Sequence, residues 1–427
     1  MNATTTYPEF RFGRMQGFLR GPAVRGVSVD GAGALFVTDP ALVRRILVND
    51  SKDYGKGELF QKARNLSRAG ILAEDESVHR YYRRLAHPYL RSSTVDDYAP
   101  VMREIAHGTV SSWRTGQTVD IQAEMCRTAG AVALRTLLHG LPPKRSAALT
   151  ERLARLSWEM IRKPLYGKAA ARAERRQAAG RLLRAREDFR GELAATLIEQ
   201  MGSARPAAGY LSALLPDLRT DAAPALTLDQ VCDEAVMMLA AGTVTTASVL
   251  SWALYVLSQE PLIEEKVLKD MAGDGGASAE HGGGHCPAGY TVRFLTEVLR
   301  LYPPVWITCR RTLADVTLGE NALPAGTHVL FSSYLLHRNP ERYPDPYRFD
   351  PDRWLSLRPA AGDSSFIPFG VGAKGCIGES FAWKELDVVL GAVIQEWQLS
   401  LAPGSRIRKA PETTLHPRSL LMVPRPR

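Results

Sequence analysis

A mainly α-helical fold with minor β-sheets is what the sequence predicts, on three observations. Helical periodicity dominates from about Tyr98 to Leu301, broken by Pro-rich and Gly-rich stretches. Strand-like stretches are few and short: Val27 to Thr38, Val316 to Leu318, His328 to Ser332 and Leu420 to Val423. At 427 residues and 45% hydrophobic, the chain can bury a sizeable core, which excludes the disordered, collagenous and small disulfide-rich classes. Length alone would allow about three domains at typical size, but large single domains are common.

The longest helix is expected at Leu228 to Gln259, about 48 Å long at ~1.5 Å per residue. Thr227 to Gln230 reads TLDQ, a capping box that opens a helix in water, and Pro261 fits a stop just beyond the last turn. Within it, Val236 to Leu257 carries no charge and is long enough to cross a bilayer. Gly242 and the hydroxyls of Thr243, Thr245, Thr246, Ser248 and Ser251 argue instead for a helix buried in the middle of a large protein, so no membrane span is expected.

Charge and cysteines narrow the setting. Net charge is +9, with much of the excess between Lys163 and Arg190, which reads as the solvated face of an amphipathic helix. No zinc knuckle, aromatic RNA-binding motif or helix-turn-helix pattern accompanies it, so nucleic acid is not expected as a partner. The five cysteines, Cys126, Cys232, Cys286, Cys309 and Cys376, are scattered and odd in number, which fits a reducing compartment. The N-terminal MNATTTYPEFRFGRM lacks the apolar core of a signal peptide, and a cytoplasmic location is expected. The Gly-rich Gly273 to Gly289 reads as a surface loop, and its His281, His285 and Cys286 as loop residues, not metal ligands.

Chemistry concentrates in Phe366 to Glu385, FIPFGVGAKGCIGESFAWKE. One cysteine sits among Gly370, Gly372, Gly375 and Gly378, just before a helical pattern. Glycines let the backbone turn sharply and approach a flat object closely. The positive end of the helix and nearby N–H groups favour a thiolate there, fit to act as nucleophile, zinc ligand or iron ligand. No obvious His partner supports the nucleophile, and no clustered further ligands support zinc.

This segment resembles the cysteine loop of cytochromes P450, Phe-Gly-x-Gly-x-(His/Arg)-x-Cys-x-Gly, through Phe369, Gly370, Gly372, Cys376 and Gly378. Lys374 takes the basic position, keeping the charge but losing the planar fork or ring. Glu297 and Arg300 in TEVLRLYPP match the family's Glu-x-x-Arg pair, and Arg353 falls at the place of its third member. His79 and Arg83 resemble the helix whose cations hold the haem propionates, and Arg310 resembles another propionate contact. Ala241, Gly242, Val244 and Thr245 lie in AGTVTT, similar to the family's stretch above the iron, with Val244 at the usual acid position.

The resemblance implies one domain over residues 1–427, haem b held by Cys376, and dioxygen chemistry on a mostly apolar small molecule, with secondary metabolites as the natural class. It implies electrons from a separate ferredoxin and ferredoxin reductase, and a monomer. It places Ile71, Leu72, Leu239, Ala240, Val305, Trp306, Ile307, Thr413 and Thr414 as candidates for the substrate pocket. Because Val244 removes the usual relay acid, oxidative coupling through a C–N or C–C bond without oxygen insertion stands as an alternative to monooxygenation. A haem-less auxiliary protein is a remote third reading, opposed by the intact Cys376 loop.

Overall fold

The computed structural model describes residues 12–29, 31–57, 70–71, 76–163, 172–201, 209–215, 226–273, 289–357 and 364–427. Helices make up most of it: α1 (Pro40–Arg44), α2 (Glu76–Leu90), α3 (Ser92–Val110), α4 (Ile121–Leu137), α5 (Pro143–Ile161), α6 (Arg172–Met201), α7 (Tyr210–Ala213), α8 (Leu228–Gln259), α9 (Pro261–Ala272), α10 (Tyr290–Leu301), α11 (Ser333–Leu336) and α12 (Glu379–Glu396). Among the described residues the strands form four small sheets, the three smaller ones built from β4 (Val119–Asp120) with β9 (Trp397–Leu401) and β12 (Leu421–Pro426), from β6 (Val316–Leu318) with β7 (Asn321–Leu323), and from β10 (Arg408–Pro411) with β11 (Leu415–Arg418).

Helix α8 is the axis around which the others pack. Its N-terminus carries the full capping box: Thr227 accepts from the Gln230 N–H, and the Gln230 side chain accepts from the Thr227 N–H. Its interior hydroxyls satisfy themselves by back-bonding, with Thr243 donating to Leu239 O, Ser248 to Val244 O and Ser251 to Ala247 O. That lets polar residues stay in a helix pressed between α4, α5, α6 and α12. Helix α8 is long and apolar enough to cross a membrane, yet its length is packed inside protein.

The largest sheet has the order β1-β2-β8-β5-β3, with β1 (Val24–Val29), β2 (Ala32–Val37), β3 (Tyr54–Lys56), β5 (Thr308–Thr312) and β8 (His328–Phe331). The stretch expected as one strand over Val27 to Thr38 is instead a hairpin. Gly31 at φ +90° reverses the chain, so hydrophobic alternation continues across a turn that it does not reveal. At the far edge, β3 sets Lys56 opposite Arg310 of β5.

The basic run also differs from expectation. Arg186 and Arg190 of α6 both reach Asp233 of α8, at 3.3 and 3.2 Å, and Arg181 meets Glu159 at 3.2 Å. Part of that face is therefore spent on holding α6 to its neighbours. Residues 274–288, with His281, His285 and Cys286, lie outside the described residues.

Candidate active site

Cys376 sits three residues ahead of α12, in a loop shaped by glycine. Its N–H donates to Phe369 O at 2.7 Å, and the Gly370 N–H donates to Ile367 O at 3.1 Å. Gly370 and Gly372 take φ of +70° and +74°, and a Cβ on Gly372 would lie 2.4 Å from Leu47 O, so no side chain fits there. The thiol lies deep among protein atoms yet presents an open surface, unlike the buried Cys126, Cys232 and Cys309. Burial pushes its pKa up to about 11, partly opposed by the Gly378 N–H that donates to the sulfur.

Cations gather on this loop. Arg83 of α2 donates to Gly375 O at 2.7 Å, next to the cysteine, and Lys374 donates to Tyr54 O at 2.9 Å. Arg310 is buried on β5, and that burial lowers its pKa to about 10. His79 is buried one turn before Arg83. Phe369 packs against Trp383 of α12 with ring centroids 5.9 Å apart.

The buried carboxylate of Glu297 organises the support behind the loop. Arg300 grips it bidentately, Nε and Nη2 each at 2.8 Å, with both side chains fully buried. Arg353 Nε at 3.0 Å, Trp354 Nε1 at 3.0 Å and the Asp350 N–H at 2.9 Å complete five donors. Arg300 also donates to His337 O at 2.9 Å, while the Ile367 N–H donates to His337 Nε2 at 2.9 Å. Burial, with Arg338 and Arg300 near, presses the His337 pKa down to about 3, so the ring is a neutral acceptor. A hydrogen-bonded line thus runs from Glu297 through Arg300 and His337 to Ile367, and from Ile367 O to Gly370 in the cysteine loop. His337 carried no local sequence signal.

On α8, Ala241, Gly242 and Thr245 are only half-buried and share one stripe, whereas Val244 turns into the core. Thr245 donates to Ala241 O at 2.8 Å. A Cβ on Gly242 would touch only Ala133 Cβ, at 3.9 Å, so packing does not demand glycine there. Glu385 of α12, also unforeseen, is buried beside the Thr246 hydroxyl, and burial raises its pKa well above the usual carboxylate range.

The pocket candidates divide. Val305 is 46% exposed between buried Pro304 and Trp306. Thr413 donates to Lys163 O at 3.0 Å, and Thr414 is buried against Ser248 of α8 at 2.9 Å. Leu239 and Ala240 lie wholly within the main core, and Trp306 and Ile307 lie in a second cluster with Phe36 and Leu330, Trp306 fixed further by donating to Glu412 O. Their apolar type is explained by that packing. Ile71 is buried near α8, and Leu72 lies outside the described residues.

Residues 166–427 match the family model described as Cytochrome P450. The chain is 32% identical over 388 residues to cyclooctat-9-en-7-ol 5-monooxygenase of Streptomyces melanosporofaciens, covering 88% of this chain and 82% of that protein. The chain belongs to the cytochrome P450 family. Pentalenene oxygenase of Streptomyces avermitilis is 30% identical, covering 89% of this P450 and 85% of the relative. The solved structure of retinoic acid bound cyanobacterial CYP120A1 superposes with a TM-score of 0.77 at 22% identity, over 97% of this P450 and 93% of that chain. Membership makes the cofactor a haem-thiolate, and the site fits one. A thiol open to the interior, guanidinium and ammonium groups around its loop, and a stripe of small residues on α8 suit a flat iron group bearing carboxylates.

Proposed function

We propose that this P450 is a monooxygenase inserting oxygen into a mostly apolar natural-product intermediate, a largely hydrocarbon skeleton of the cyclooctatenol or pentalenene kind. The Cys376 loop carries the reading: an open thiol on a glycine cradle, tied to a buried ionic triad. Cys376 would hold the iron of a haem b, which would supply the dioxygen chemistry when bound. Arg83, Arg310 and His79 would hold its carboxylates, with Lys374 at the fourth basic position. Ala241 and Gly242 keep the α8 surface low, and Val305 with Ile71 offers apolar contact to substrate.

Thr245 handles the proton. Its hydroxyl hydrogen now points at Ala241 O, and rotation about χ1 would present it to the pocket. Val244 holds no proton. The relatives' names, a monooxygenase and an oxygenase, favour oxygen insertion over bond coupling. Electrons come from an acidic ferredoxin and its reductase, and the enzyme acts as a cytoplasmic monomer, one domain over residues 1–427. The deciding experiment is the spectrum of the reduced, CO-bound protein. A strongly red-shifted Soret band is expected, lost in Cys376→Ser and kept when Cys126, Cys232, Cys286 or Cys309 is changed to Ser. Survival of the band in Cys376→Ser would overturn the assignment.

A further inference from the structure

Glu234 lies wholly buried in the second turn of α8. Its two oxygens are used on two different segments. Oε2 accepts from the Ile71 N–H at 2.7 Å, and Oε1 accepts from the Tyr210 hydroxyl at 2.7 Å. Lys56 of β3 grips the same residue from the other side, donating to Ile71 O at 2.6 Å. The backbone is fitted to the carboxylate: Gly70 takes φ +118°, and a Cβ there would lie 2.6 Å from Glu234 Oε2. Gly209, at φ +132°, admits Tyr210, since a Cβ on it would meet Leu137 O at 2.8 Å.

Position on the helix gives the contact its meaning. Ala241 and Thr245 follow Glu234 by 7 and 11 residues, which places all three on one stripe of α8. Glu234 is thus about 10 Å along the same face from Ala241. Ile71 and Tyr210 are held over that face from opposite ends of the sequence order, one before α2 and one after α6.

We propose that Glu234 is a positioning residue that latches Ile71 and Tyr210 over the distal face of α8 and so sets the far wall of the substrate pocket. This rests on the reading that Ala241 and Thr245 face substrate. A purely structural carboxylate would alter stability without altering which ligands fit. The latch, by contrast, discriminates by length: a ligand confined near the iron never reaches it, whereas a long apolar one does.

Imidazole and 1-dodecylimidazole provide that pair of probes, titrated by the Soret shift of the holoenzyme. Glu234→Leu is expected to weaken 1-dodecylimidazole roughly tenfold, the scale of a lost buried hydrogen bond, and to leave imidazole unchanged. Glu234→Gln, which can accept from Ile71 and donate to the Tyr210 oxygen, is expected to restore wild-type selectivity. Hydrogen exchange at the Ile71 amide, slow in wild type and Glu234→Gln, is expected to be fast in Glu234→Leu. An unchanged ratio of the two azole affinities, or an Ile71 amide still protected in Glu234→Leu, overturns the latch. Tyr210→Phe deletes one hydroxyl and keeps the ring, so it carries the same test if the leucine variant does not fold. A wild type whose Soret band ignores both azoles would overturn the haem-thiolate reading instead, while the Ile71 exchange still reads the latch.

Discussion

Burial decides what each carboxylate and hydroxyl near α8 can do. Glu234 has its pKa raised to about 7, chiefly by burial, which the Tyr210 hydroxyl, the Ile71 N–H and Lys56 only partly offset. Tyr81 and Tyr82 of α2 lie around Tyr210 and carry no charge to change that sign. A folded pKa above the unfolded one means stability present below about pH 4.5 and lost as pH rises through about 7. Urea unfolding from pH 5 to 8 should therefore show Glu234→Gln gaining on wild type as pH rises, by a difference approaching 3 kcal/mol in order of magnitude. Parallel curves for the two proteins would contradict the shift. About three turns further along α8, Thr245→Ala is expected to lower product formed per reductant consumed while leaving the CO-bound spectrum intact. Val244→Asp should not improve the enzyme, because position 244 faces packed core and an unpaired carboxylate there costs several kcal/mol. Thr245 and Val244 were legible in the sequence because they sit in a spaced motif. Glu234 and Glu385 were not, since a glutamate in a helical pattern reads as solvent-facing until its tertiary neighbours are known.

At the scale of elements, the structure separates what periodicity announces from what pairing decides. The bounds of α8 follow from its capping box and its uncharged run, both local signals, and they appear at Leu228 and Gln259 as expected. Strands β3, β5 and β9 (Trp397–Leu401) left no comparable trace, because each is short and finds its partner across intervening elements further along the chain. The ionic triad belongs to this scale, since it ties α10 to the 344–354 segment. Glu297→Gln is expected to leave the guanidiniums of Arg300 and Arg353 buried without their charge partner. The loss should be roughly 3–5 kcal/mol, the range for a broken buried pair. Because Arg300 reaches the cysteine loop through His337, haem retention should fall along with the melting temperature. Normal haem content in a Glu297→Gln protein of unchanged melting temperature would refute the coupling. His337→Leu offers a narrower cut of the same line: it removes the acceptor of the Ile367 N–H, so haem retention should suffer more than overall stability.

For the whole molecule, the net charge of +9 is unevenly useful. Of the cations near the cysteine loop, Lys374 is turned inward to Tyr54 O, and Lys384 is paired with Asp96 at 2.8 Å. Arg80 and Arg84 of α2 and Arg91 just beyond it are exposed, and the first two stand one turn apart on the same face. Arg83, between them, faces the loop itself. The exposed arginines thus put, on the helix whose Arg83 touches the Cys376 loop, the charge that an acidic electron donor would seek. Steering of this kind acts on the association rate and fades as the Debye length shrinks, from about 10 Å at 0.1 M salt to about 3 Å at 1 M. Arg80→Glu with Arg84→Glu should therefore slow reduction by a ferredoxin at low salt and converge with wild type as salt rises. The CO-bound spectrum should stay unchanged, since neither side chain reaches the loop. First-electron transfer measured by stopped flow across that salt range is the test. A reduction rate insensitive to both the charge reversal and the salt would move the docking face away from α2.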